Sequence, residues 1–391
     1  MSQAPAPTAK PLNVPLALAQ ALDLHRQGHL AQAEQLYASI LTARPDHFDA
    51  LHMLGVVKLT QGQPTEALRL IAKAMQVKAP PPQILLNHGL VLNALNRHQE
   101  ALENFELAIK RKSKFAEAHV NRGAVLAVLG RDEEAVEACH KAVVVASNNA
   151  EAHYNLGNSL RRLGRNEEAL KSFDRALLLR PTYANAFNNR GMTLQALKQP
   201  ETALLSYDRA LALAPNDADA LNNRGSALYE LERFDEALAC YDRALALQPG
   251  DAQVHYNRGN ALKALNRNVD ALESYDHALA VRPDLAEALN NRGGTLHDLT
   301  RFDEALASYD RALALRAGYA EAHNNRGITL HELKRYEEAL TSYDAAIAAR
   351  PDYAEAHQNR GDTLQAQNKI EEAQISFDRA LTARMQLNET P

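Results

Sequence analysis

The sequence has no tryptophan, only 5% aromatic residues, two cysteines in 391 residues and no excess of positive charge. So few large rings exclude a thick central core. The 46% hydrophobic content, mostly alanine and leucine, suits thin layers of helix on helix instead. Cys139 and Cys240 are too few for a disulfide framework or a paired zinc site and read as small thiols of a reducing compartment. A formal net charge of -5 without any lysine or arginine run leaves no electrostatic footprint for nucleic acid or a membrane surface. No apolar run approaches the roughly 18 residues of a membrane span. The amino terminus MSQAPAPTAKPLN lacks the apolar region of a signal peptide, and the expected location is the cytoplasm. The motifs GxGxxG after a strand, GxxxxGK[ST], HExxH and GxSxG are missing too, so no catalytic residue, cofactor or metal site is expected.

What is present is repetition. Shifting the chain by 34 residues superposes Gly55, Gly89, Gly123, Gly157, Gly191, Gly225, Gly259, Gly293, Gly327 and Gly361 without insertion or deletion. In the copy 286–319, Ala286, Leu289, Gly293, Leu296 and Leu299 mark one helical stripe, and Phe302, Ala305, Leu306, Tyr309, Ala312 and Leu313 a second. Neither stripe can be buried alone. Glycine at repeat position 8 and alanine at position 20 remove bulk where the two helices meet, and an aromatic at position 24 fills the remaining space. Proline at position 32 (Pro181, Pro215, Pro249, Pro283, Pro351) is expected to stop each second helix.

A 34-residue unit with glycine at 8, alanine at 20 and 27, an aromatic at 24 and proline often at 32 resembles the tetratricopeptide repeat, with wording (NNRG, EALASYDRALAL) similar to bacterial members and to the repeat domains of O-linked N-acetylglucosamine transferases. The resemblance implies an all-α fold, a right-handed superhelical α-solenoid of about eleven helix-turn-helix repeats. Their expected starts are 14, 48, 82, 116, 150, 184, 218, 252, 286, 320 and 354. Residues 1–13 are expected to be a disordered lead-in, 14–387 a single solenoid domain, and 388–391 a short tail.

Three sets of recurrent polar residues stand out. Histidine at position 4 (His119, His153, His255, His323, His357) replaces leucine or phenylalanine. Copies on successive helices lie about 10 Å apart, too far to share an ion, so these read as packing residues. Arginine at position 7 (Arg122, Arg190, Arg224, Arg258, Arg292, Arg326, Arg360) varies together with an acid at position 25 of the preceding repeat (Glu106, Asp174, Asp208, Asp242, Asp276, Asp310, Asp344). The junctions without arginine lack the acid. This pattern predicts an arginine fork gripping the carboxylate of the previous repeat and fixing stacking register.

Asparagine at position 6 recurs as Asn87, Asn121, Asn155, Asn189, Asn223, Asn257, Asn291, Asn325 and Asn359, although it is a poor residue inside a helix. In the resembled family this stripe lines the concave groove, and in the glycosyltransferase relatives an asparagine ladder there grips the backbone of an extended peptide. The alternative is that each asparagine hydrogen-bonds a neighbouring repeat. The flanking acids Glu287, Asp298, Glu321, Glu332, Glu355 and Asp362 would favour a partner with lysine or arginine. The expected function is a non-catalytic scaffold binding an extended protein segment. The substrate-recruiting part of a glycosyltransferase system and a structural oligomerisation module are the alternatives. At the carboxyl end Asp378 has no following arginine, and Ile375, Phe377 and Leu381 have no following layer, which predicts docking or self-association there.

Overall fold

The computed structural model describes residues 12–77 and 79–388. Among them all regular structure is α-helical, in 22 helices. The expected lead-in falls mostly outside the described residues, and Asn13 already serves the first helix, its Oδ1 accepting from the Leu16 amide. Of the expected tail 388–391, Asn388 is the last residue of the final helix and 389–391 lie outside the described residues.

The chain divides into two compact units, Met1–Leu197 and Lys198–Pro391, although the 34-residue frame runs through the division unbroken. The first unit holds α1 (Val14–Arg26), α2 (Leu30–Ala43), α3 (Phe48–Thr60), α4 (Pro64–Ala74), α5 (Pro82–Ala94) and α6 (His98–Arg111). It continues with α7 (Ala116–Val128), α8 (Asp132–Val145), α9 (Ala150–Arg162), α10 (Asn166–Leu179) and α11 (Ala184–Ala196). The second unit holds α12 (Pro200–Leu213), α13 (Ala218–Glu230), α14 (Phe234–Leu247), α15 (Ala252–Ala264), α16 (Asn268–Val281) and α17 (Ala286–Asp298). It ends with α18 (Phe302–Leu315), α19 (Ala320–Glu332), α20 (Tyr336–Ala349), α21 (Ala354–Ala366) and α22 (Ile370–Asn388). Each unit is an all-α helical repeat solenoid.

The glycine at position 8 makes room for the ring at position 24. A Cβ on Gly293 would stand 2.5 Å from Cε1 of Tyr309, and on Gly327 2.5 Å from the same atom of Tyr343. The two helices of a repeat are thus keyed by ring on backbone. In the fourth repeat Cys139 takes the ring's place against Gly123, and burial pushes its thiol up to about 12. Both cysteines are buried and free.

Every first helix ends the same way, with position 15 in the left-handed region. Glycine fills it at Gly28, Gly62, Gly130 and Gly164, asparagine at Asn96, Asn266 and Asn368, and Lys198, Glu232, Thr300 and Lys334 elsewhere. At Thr300 the closing bonds run from its own amide to the His297 carbonyl (2.8 Å) and from the Arg301 amide to the Leu296 carbonyl (2.8 Å), the Schellman pattern.

Second helices stop on schedule even without proline: α6, α8 and α18 end before Ser113, Ser147 and Ala317. Proline is therefore not what ends them. A feature shared by proline and non-proline turns is the position 4 histidine of the next repeat, whose Nε2 bonds the carbonyl of Ser113, Ser147, Pro249, Ala317 or Pro351 at 2.9–3.1 Å. These histidines do more than fill space. They tie five of the first helices to the turn before them, and no metal-binding group occurs among the described residues. Only α22, with Met385 in the proline slot, runs on to 19 residues.

All seven junction pairs form. Arg122 meets Glu106 at 3.1 Å, and Nε of Arg190, Arg224, Arg258, Arg292, Arg326 and Arg360 lies 2.6–2.7 Å from an oxygen of Asp174, Asp208, Asp242, Asp276, Asp310 and Asp344. The expected fork on one carboxylate forms at Arg122, whose Nε and Nη2 both donate to Glu106 Oε1, and later repeats have a bridge instead. While Nε holds the preceding second helix, Nη1 of Arg258, Arg292, Arg326 and Arg360 donates to Ser274, Ser308, Ser342 and Ser376 on the second helix of its own repeat, at 2.7–2.8 Å. Arg224 uses Cys240 in the same way, at 3.1 Å. One guanidinium thereby links three helices.

Within each unit first helices of successive repeats touch, as α7 does α9 and α17 does α19, whereas among the described residues successive second helices do not. First helices therefore line the inner side of the curve. On the outer side clefts separate the second helices, one of about 530 Å³ at Ile109, His119, Lys141, Val144 and Val145 and one of about 390 Å³ at Ile347, His357, Arg379 and Ala383.

Candidate functional site

The position 6 asparagines stand half-buried on the inner, first-helix side. Most of them reach back to position 5 of the preceding repeat. Nδ2 of Asn257, Asn325 and Asn359 donates to Oδ1 of Asn222, Asn290 and Asn324 at 3.0–3.1 Å. Asn189 and Asn291 donate to the hydroxyls of Tyr154 and Tyr256, and also to Oδ1 of Asn158 and Asn260 at 2.7 and 2.9 Å. Asn87 meets His52 Nε2 at 2.7 Å. Asn121 turns instead to the Glu117 carbonyl, 2.8 Å away. Asn155 and Asn223 occupy the same half-buried position.

The ladder is thus a line of hydrogen bonds between repeats, the alternative role that the sequence left open. It does not exhaust the amides. An amide carries two N–H donors and an oxygen with two lone pairs, and the bonds of Asn325 and Asn359 use one donor each.

A second row sits one turn along the same helices. Threonine at position 10 (Thr193, Thr295, Thr329, Thr363) donates to the carbonyl of the position 6 asparagine at 2.7–3.0 Å. His297 Nδ1 lies 3.0 Å from Thr329 Oγ1, and His331 Nδ1 2.8 Å from Thr363 Oγ1. Each threonine has given its only hydrogen to a carbonyl, so the histidine must be the donor. Its Nδ1 carries the proton, and in the neutral ring Nε2 keeps a lone pair. Sequence reasoning passed over these threonines; their return at a fixed position was the available signal.

The flanking acids fall into two groups. Glu287 pairs with Arg316 and Glu321 with Arg350, each within its own repeat. Arg316 holds the Glu287 carboxyl below the usual carboxylate range. The same arginines lie over the rings of Tyr319 and Tyr353, 4.6 and 4.2 Å from the centroids. Asp298 is met by Lys263 of the preceding repeat at 3.4 Å. These three charges are largely balanced. Glu332, Glu355 and Asp362 have no cation within ion-pairing distance among the described residues; Asp362 accepts from Gln358 at 3.2 Å.

Family models described as "Tetratricopeptide repeat" match residues 24–85, 86–150, 148–216, 206–239, 252–285, 284–352 and 318–386, and one described as "TPR repeat" matches 225–266. The chain is a tetratricopeptide repeat protein. Solved structures carry the same fold: that of the APC/C hetero-tetramer Cut9-Hcn1 is similar at a TM-score of 0.53 and 13% identity over 95% of this chain and 94% of that one. A tetratricopeptide repeat protein from Parabacteroides merdae is similar at 0.51 and 16%, over 64% of this chain and 98% of its own. YrrB, described as "a TPR protein with an unusual peptide-binding site", is 30% identical over 48% of this chain and 97% of its own, at a TM-score of 0.42. No curated protein matches the sequence. Among the described residues of this tetratricopeptide array no helix is long and apolar enough to cross a membrane.

Proposed function

We propose that this tetratricopeptide array is a non-catalytic protein–protein interaction scaffold that holds an extended segment of a partner along the inner face of its first helices. The observation that carries the reading is the row Asn257, Asn291, Asn325 and Asn359. These amides are half-buried, held in place by bonds to the preceding repeat, and chemically suited to a peptide group. Successive first helices advance by roughly 10 Å and an extended chain by about 3.3 Å per residue, so each rung meets about every third peptide group. Binding of that kind holds a backbone without reading its side chains, which leaves selectivity to the acids beside the row.

The test is the triple substitution Asn257→Ala, Asn291→Ala and Asn325→Ala. Removing four inter-repeat bonds, two of them made by Asn291, costs about 1 kcal/mol each, offset in part by the better helix propensity of alanine, so the fold survives. Affinity for the partner that a pull-down with the full chain identifies is expected to fall at least tenfold in the folded protein. Unchanged affinity in the folded fraction would assign the ladder to stacking alone.

A further inference from the structure

Between α19 and α21 the inner face opens into a cleft of about 200 Å³ lined by Ile328, His331, Glu332, Tyr343, Asn359 and Asp362. That is smaller than the roughly 300–1,000 Å³ of sites for small-molecule ligands, and its size suits a single side chain. Its polar groups are almost all acceptors. Glu332 and Asp362 bring carboxylates with no cation nearby among the described residues. His331 has committed its Nδ1 proton to Thr363, and the neutral ring keeps a lone pair on Nε2. Asn359 has turned a donor away towards Asn324. Tyr343 is 1% exposed, burial pushes its hydroxyl upward so that it stays neutral, and Ile328 supplies an apolar wall. The equivalent place one repeat earlier pairs Asp298 with Ile328 and Gly294, and Lys263 already answers that aspartate.

We propose that this cleft receives an arginine side chain of the bound segment. A guanidinium has five N–H donors, no acceptor and a flat hydrophobic face, the complement of two carboxylates, a ring nitrogen and an apolar wall. The inference rests on the proposed groove and names the residue by which the partner is read.

The experiment uses the full chain and two fluorescein-labelled 18-residue peptides of serine, threonine and alanine, identical but for a central arginine in one and citrulline, its neutral isostere, in the other. Fluorescence anisotropy is expected to show the arginine peptide binding about tenfold tighter or more, as charge-assisted hydrogen bonds imply. The difference is expected to vanish in Glu332→Gln/Asp362→Asn, whose exposed side chains leave folding intact, as circular dichroism checks. Equal binding of both peptides to wild type overturns the cleft while leaving the backbone groove standing. A preference for arginine that survives in the double variant places the recognition elsewhere and also overturns it. If neither peptide binds, the cleft proposal fails and the groove is contradicted with it.

Discussion

Thr300 is the residue most at odds with its backbone: it is β-branched, yet φ is +58° there, where glycine stands in four other repeats. Thr300→Gly is expected to stabilise the protein by roughly 0.5–1 kcal/mol, seen as a higher urea midpoint at unchanged slope. An unchanged midpoint would mean that the turn carries no strain. Gly293→Ala should act oppositely, costing about 1–3 kcal/mol because its Cβ would meet the Tyr309 ring. Adding Tyr309→Leu should then cost less than the sum of the two changes. The Asp276 and Arg292 side chains also invite a double-mutant cycle. Asp276 is half-exposed, so its pairing is worth about 1 kcal/mol at most. Arg292→Ala should cost more than Asp276→Ala, since it also cuts the link to Ser308. Additive single and double variants would remove the coupling.

Much of the element scale was readable. Periodicity placed both helices of each copy, and the co-variation of position 7 with position 25 located a contact between repeats before any coordinates. Two things were not. Position 15 is filled by residues as different as glycine, threonine, lysine and glutamate, because the Schellman closure demands a backbone angle and tolerates several side chains. Nor does the sequence say how a first helix is entered. Asn149, Asp217 and Asp251 cap it with a side-chain oxygen, whereas Phe115, Tyr183, Tyr319 and Tyr353 lie under a cation from position 31. The candidate site was half legible: the asparagines were found, but their bonds to position 5 and the arginines answering Glu287 and Glu321 depend on rotamers that spacing cannot fix.

For the whole molecule, the expected association surface at the carboxyl end changes its residues. Ile375 sits at position 22, which faces solvent in other repeats as well, so it marks no missing layer. Leu381 carries the expectation instead: it is 58% exposed, where its equivalent Leu279 is 8% exposed. Its neighbour Gln374 replaces a leucine that is buried in Leu306 and Leu340. Concentration-dependent sedimentation of the 391-residue chain, abolished by Leu381→Glu, is the expected outcome. A monomer at all concentrations would leave Leu381 as a solitary exposed side chain.

The clefts between second helices have a mechanical consequence. First helices bear on one another along the inner line of each unit, and the outer line is interrupted at Ile109 to Val145 and at Ile347 to Ala383. Such a body flexes as a leaf spring does, with its neutral line near the inner contacts and its give in the gaps. Anything wedged between two second helices would widen the outer gap and tighten the curve about the inner line, tilting neighbouring asparagine rungs towards one another, so that a touch on the outside is felt as a change of angle within.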